Sequence, residues 1–185
     1  MRLVIILLLI THVCFSQKAQ QVDVVIYGSN ISARMAAYAA KISGKKTLLI
    51  VPVAQEELPR VGQLNRQDIK GLAWDFYRKL GKETGQFDTF EASSELKKQV
   101  IDTYQKQAEY LVWEAMQLQQ VQQKDSQIQQ ITISDANGTR VVKAKQFIDC
   151  SIQAELLIKA GYSITYLVED NGMGGTTKHL QKPEI

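Results

Sequence analysis

Gly28, Ser29, Asn30, Ser32 and Ala33 are the residues of this chain whose types and spacing come closest to a chemical purpose. They follow an apolar run, residues 22–26, and open an Ala-rich stretch that ends near Gly44. A strand that ends in a G-x-G-x-x-G turn brings backbone N–H groups and a helix N-terminus up to a pyrophosphate. Glycines are needed there because a Cβ would collide with the ligand. Gly28 stands at the first glycine, Asn30 at the second and Ala33 at the third. Ala33 is compatible with close helix–strand packing, whereas Asn30 puts a side chain into the approach of the phosphates. A second apolar run, residues 46–51, arrives about 20 residues later, as a mononucleotide-binding strand–helix–strand unit requires. The acidic residue that would accept ribose hydroxyls at its end is replaced by Val51, which accepts nothing. Asp149, at the end of a later apolar run, is a further candidate; a carboxylate there either touches a bound cofactor or caps the next helix.

The elements that must position these residues are legible in outline. Residues 22–26, apolar but for Asp23, predict a central parallel strand covered on both faces. Residues 32–42 predict a helix whose alanines let it lie close to a sheet, closed by Gly44 with Lys41, Lys45 and Lys46 near the negative end of its dipole. Residues 53–70 have no steady period and read as a long loop holding Pro59, Arg60, Gly62 and Arg66. Residues 71–81 form an amphipathic helix with Leu72, Phe76 and Leu80 on one face, and residues 94–107 a longer one with Leu96, Val100, Tyr104 and Ala108. Trp74, Phe76 and Tyr77 read as core aromatics rather than a flavin-lining face.

Residues 110–113 read as a short strand. Eight glutamines fall within residues 117–130, but Leu118, Val121, Ile128, Ile131 and Ile133 punctuate them. With turns at Lys124-Asp125-Ser126 and at Asn137-Gly138, this predicts an antiparallel meander with a wet glutamine face rather than a disordered tract. A final strand over 147–150 leads into a helix over 154–160, closed by Gly161. Residues 170–185 read as a polar tail without a core-forming segment, as in a chain cut short.

Arg2 followed by the apolar stretch 3–10, with Cys14-Phe15-Ser16 before a polar segment, predicts a secretory signal peptide over residues 1–16 and a secreted or periplasmic protein. A lipoprotein acylated at Cys14 is the weaker reading, since Val13 is bulky where a small residue is expected. The remaining residues, 17–169 with the tail, suffice for one domain. The chain has 22 basic and 19 acidic residues, a net charge of +3, with no Lys/Arg block, which argues against a nucleic-acid partner. Two cysteines and two histidines leave no His/Cys metal site, and removal of the leader leaves Cys150 alone and no internal disulfide. No segment is long and apolar enough to be a transmembrane helix.

The segments at 23–28, 46–50, 71–77, 147–149 and 155–162 together resemble the FAD-dependent oxidoreductases with a glutathione-reductase-like nucleotide-binding fold, including secreted members. The resemblance runs from about Val22 to Gly175. It implies an α/β, Rossmann-like FAD/NAD(P)-binding domain with a central parallel sheet and an antiparallel β-meander crossover. It also implies FAD as cofactor, with Gly28, Ser29, Asn30, Ser32, Ala33 and Val51 at the positions that meet its ADP half. Asp149 then falls near the ribityl and phosphate groups. Departures from the family concentrate at these ligand positions. Beyond Asn30 and Val51, Pro59-Arg60 stands for a glycine pair and Gln153 for an expected carboxylate. The family continues for a few hundred residues past Gly175 to complete the substrate cavity.

Two functions are therefore expected. One is the nucleotide-binding part of a flavin oxidoreductase, truncated and impaired in flavin binding; the other is a non-catalytic exported interaction module derived from the same fold. FAD or another nucleotide is the expected ligand, and an open sheet edge would favour self-association. No residue can be assigned as acid, base or nucleophile.

Overall fold

The structure, a computed structural model, describes residues 19–53, 67, 69–89, 92–168 and 176–180. The expected leader, most of the 53–70 loop with Arg60 and Arg66, and parts of the tail lie outside the described residues.

The first unit is β1 (Gln20–Tyr27), α1 (Ile31–Ile42) and β2 (Thr47–Pro52). Two outer helices follow, α2 (Gly71–Glu83) and α3 (Ser94–Ala108), and then β3 (Leu111–Lys124), β4 (Gln127–Asp135) and β5 (Gly138–Asp149). A short α4 (Glu155–Lys159) precedes a two-stranded antiparallel ribbon, β6 (Ile164–Val168) with β7 (Thr176–Leu180).

β1 runs parallel to β2 on one side and to β5 on the other, and β2 runs parallel to β3. The expected joining of the segments near 24, 48 and 147 is therefore present, with Val25 paired to both Leu48 and Phe147. What differs is the meander. The short strand expected at 110–113 and the first meander strand are one continuous β3. Its first half pairs with β2, and from Gln117 onward it pairs antiparallel with β4. The last apolar strand is likewise the second half of β5, whose first half pairs antiparallel with β4. Two long strands thus serve both layers, and the five strands close on themselves in a mixed sheet. Among the described residues the five-stranded sheet closes without the open edge expected to favour self-association, because β4 bridges β3 and β5. The tail also differs from expectation, since its residues 176–180 form β7.

Both faces of β1 from Val24 onward and of β2 are buried, which is why these segments are apolar without alternation. Val25, Tyr27, Leu48 and Ile50 point between the parallel and antiparallel layers and meet Met116, Ile131, Ile133 and Val142. Val24, Ile26, Leu49 and Val51 point the other way, under Ala33 and Ala37 of α1, which are fully buried. The alanines of α1 allow that close approach. A third cluster, Phe76, Leu80, Val100, Ile101 and Tyr104, joins α2 to α3 and is flanked by Met35 and Tyr38 of α1. Of the three aromatics expected in the core, Phe76 is buried there and Tyr77 packs partly buried beside it, with rings edge to face at 5.5 Å, whereas Trp74 lies outside the core clusters, 6.3 Å from the exposed Phe87 ring. The glutamines at 117, 119, 120, 122 and 123 are exposed, and some pair across strands, as in Gln130 Nε2 to Gln122 Oε1 at 2.8 Å. No helix among the described residues is long and apolar enough to cross a membrane.

Candidate functional site

The carboxyl ends of β1, β2 and β5 and the middle of β3, near Trp113 and Met116, lie side by side, and the β1–α1 turn follows the end of β1. In open parallel sheets this end is where ligands bind. Backbone hydrogen bonds lace it together: Gly28 N–H donates to Ile50 C=O at 3.0 Å, and Cys150 N–H to Tyr27 C=O at 2.8 Å. Gly28 is required here for a reason internal to the chain. Its φ is +151°, and a Cβ would stand 2.9 Å from the carbonyl carbon and oxygen of Cys150. The glycine admits the neighbouring strand, whatever it also does for a ligand.

Asn30 is the N-cap of α1. Its Oδ1 accepts from Ala33 N–H at 3.0 Å, and its Nδ2 donates to Cys150 C=O at 2.5 Å. The side chain expected in the path of the phosphates is thus folded onto the protein and satisfies one of the four N–H groups that a helix start leaves without intrahelical acceptors. The N–H groups of Ile31 and Ser32 are also without intrahelical acceptors at this helix start. Ser32 is exposed beside them, while Ala33 is fully buried against the sheet. Ser29 is half-buried in the turn.

Val51 is 1% exposed and packs in the layer under α1 with Val24, Ile26 and Leu49. Asp149 is engaged with the turn that follows it. Its Oδ1 accepts from Ser151 N–H and Oγ–H at 2.9 and 2.6 Å, and its Oδ2 from Leu157 N–H at 3.0 Å. Of the two readings of Asp149, the structure displays the local one, a carboxylate organising the entry to α4. Tyr27, at the end of β1, donates its hydroxyl to Glu155 Oε2 at 2.7 Å, which ties α4 to the same strand end. Cys150 is half-buried; burial first, and the Asp149 carboxylate second, push its thiol pKa up, away from the reactive thiolate.

One feature at this end was not visible in sequence. β3 carries an irregularity: its register with β2 runs from Ile50↔Trp113 to Pro52↔Met116, so Val51 stands opposite the pair Glu114–Ala115. Ala115 has φ +55°, the backbone of a bulge. Beside it lies a groove of about 550 Å³, bounded by Val53, Glu114, Ala115, Gln117, Ser134 and Asp135. Asp135 is held by Arg140 at 2.7 Å and by Asn137 N–H at 2.7 Å. Glu114 is looser, with Arg34 of α1 at 3.5 Å and a side chain 55% exposed. Tyr110, one turn of pleat earlier, is 5% exposed, and its hydroxyl has no hydrogen-bond partner among the described residues. The only sequence signal for this groove was a single acidic residue, Glu114, inside the apolar run 111–116.

A model of the FAD-dependent oxidoreductase family matches residues 23–181. The chain belongs to the FAD-dependent oxidoreductase family. Solved structures with the same fold include an anhydrotetracycline hydroxylase from Streptomyces rimosus, 10% identical with a TM-score of 0.59, covering 81% of this chain and 35% of that one. A geranylgeranyl bacteriochlorophyll reductase-like protein from Thermoplasma acidophilum is 20% identical with a TM-score of 0.51, covering 81% and 47%. The flavin-dependent brominase Bmp2 is 13% identical with a TM-score of 0.56, covering 79% and 42%. This FAD-dependent oxidoreductase domain therefore spans between about a third and a half of the length of those proteins. No protein of curated function matches the sequence.

FAD is the cofactor of this family, and the framework of the site fits its ADP half. The glycine turn and the helix start at Ile31 and Ser32 lie at the carboxyl end of β1 in the FAD-dependent oxidoreductase domain. The fit is poorer in the holding groups, because Asn30 and Asp149 are bonded to the protein and Val51 offers no acceptor.

Proposed function

We propose that this chain is the nucleotide-binding part of an exported FAD-dependent oxidoreductase, with a weakened hold on the flavin. The observation that carries the reading is the β1–α1 turn. Gly28 and the first N–H groups of α1 are set as a pyrophosphate needs them, while Asn30 takes the Ala33 N–H for itself. When bound, FAD supplies the two-electron redox chemistry. The chain's own residues bind and orient it: the turn 28–33 positions the phosphates, and Ile50 and Tyr27 fix that turn through their carbonyls. Rossmann-like topology of the glutathione-reductase type is part of this reading and is supported by the parallel β1, β2, β3 and β5 and the antiparallel crossover.

Losing one charge-assisted hydrogen bond costs about 1.5–3 kcal/mol. Each 1.4 kcal/mol is about tenfold in affinity. The absence of an acceptor at Val51, added to the occupied Ala33 N–H, thus weakens FAD by several powers of ten relative to a fully equipped site. Turnover of a substrate is proposed to need a further substrate-binding part, given how much of the hydroxylase and reductase-like structures this chain spans. Export is proposed from the leader-like residues 1–16.

The test is to purify the chain and record its flavin absorbance. A colourless protein that binds added FAD only at high concentration is expected; a flavin retained at one per chain overturns the weakened hold. Signal cleavage is checked by N-terminal sequencing of protein recovered from an expression host, where an intact Met1 in exported material overturns the leader.

A further inference from the structure

We propose that Glu114 supplies the carboxylate that grips the ribose hydroxyls of an adenine nucleotide, the role left empty at Val51. The inference rests on the nucleotide-binding reading of this site and names the residue that would complete it.

The position follows from the register. In a strand–helix–strand unit the ribose is gripped by an acidic residue at the end of the second strand, on the side of the first helix. Val51 occupies that place, and Ile50↔Trp113 followed by Pro52↔Met116 sets Glu114 and Ala115 beside it on β3. The side of the sheet is also right. Tyr110 and Val112 pack in the layer under α1, and Trp113 packs in the opposite layer. Glu114 therefore returns to the α1 side, where Arg34 meets it at 3.5 Å. The extra residue at Ala115, with its positive φ, turns the strand at this point, and bulges of this kind re-aim side chains beside binding sites.

Availability singles out Glu114 from its neighbours. Of the two carboxylates that border the groove, Asp135 is committed to Arg140 and to Asn137 N–H. Asp149, on the far side of the turn, is committed to Ser151 and Leu157. Glu114 has one long ion pair and more than half its side chain exposed. Arg34, itself bonded to Gln105 Oε1 at 3.4 Å, anchors the carboxylate from behind and leaves lone pairs for hydroxyl donors.

The test uses the full chain and two probes, ADP and 2′,3′-dideoxy-ADP, followed by calorimetry or tryptophan fluorescence. Glu114→Gln keeps the shape and removes the charge at an exposed position, so the fold is retained. It is expected to weaken ADP about ten- to a hundredfold, the worth of a charge-assisted hydrogen bond, while leaving the dideoxy analogue within about twofold. An unchanged ADP affinity in Glu114→Gln, or an equal loss for both probes, overturns the assignment of Glu114 and leaves the nucleotide reading standing. A wild-type chain that binds neither ADP nor FAD at millimolar concentration overturns the nucleotide reading and this assignment with it.

Discussion

Asn30 donates from its side-chain amide to the carbonyl of Cys150 at 2.5 Å, across 120 residues of sequence. The same amide's oxygen caps α1 at Ala33 N–H. One side chain thereby joins the first turn of the fold to the end of its last long strand.

Asn30→Ala should lose about 1 kcal/mol from the cap and about 0.5–1.5 kcal/mol from the bond to Cys150. Asn30→Ser keeps the capping oxygen but is too short to hold Cys150, and should lose only the second part. Urea unfolding midpoints of the two variants measure this. Equal losses for Ser and Ala would show that the cap contributes nothing and that the tie to Cys150 is the whole effect.

Tyr104 donates to Asp75 Oδ2 at 2.6 Å, linking α3 to α2, and the Lys79 ammonium lies 3.4 Å from the same carboxylate oxygen and 3.7 Å from the Tyr104 ring centroid. Burial first, and the bond to Asp75 second, raise the tyrosine pKa far above its ordinary value, so it remains a neutral donor. The two ends of this bond are unequal. Tyr104 is fully buried, whereas the Asp75 side chain is about half exposed. Asp75→Ala strands a buried hydroxyl and should cost about 1–3 kcal/mol. Tyr104→Phe leaves a carboxylate that water can solvate and should cost about 1 kcal/mol. Thermal or urea unfolding of both variants decides; a larger loss for Tyr104→Phe would contradict the asymmetry.

Asp23 accepts from Lys145 Nζ at 2.7 Å and from Lys46 N–H at 2.9 Å. The Lys145 bond first, and the Lys46 N–H second, hold its carboxyl below the ordinary carboxylate value. A depressed folded pKa gives stability that is complete above the unfolded value and lost as pH falls through the folded one, so the acid-side loss begins below about pH 4. Lys145 is shifted up by the same bond. Its contribution is complete below the ordinary lysine value and lost as pH rises through the raised one, in strongly alkaline solution. The pair is exposed, so the effect is small. Lys145→Met should flatten the Asp23 part of the acid-side slope in urea midpoints recorded across that range. A slope identical to wild type would remove the pair from the account.

The sequence by itself determined the first strand–helix–strand segment, the two outer helices and the hairpin turns of this protein. The apolar runs 24–26 and 48–51 mark strands buried on both faces. An alanine-rich period of 3.6 between them marks a helix that lies close to a sheet, and Asn137-Gly138 marks a hairpin. These signals are local, set by side-chain size and turn conformation within a few residues. Tertiary structure alone decided that β3 and β5 each run unbroken through two layers, because a pairing partner that changes midway along a strand leaves no mark on its own residues. It also decided the roles at the strand ends. That Asn30 meets Cys150, that Tyr27 meets Glu155, and that Glu114 stands beside Val51 follow from register between strands distant in sequence, and composition carries no record of register.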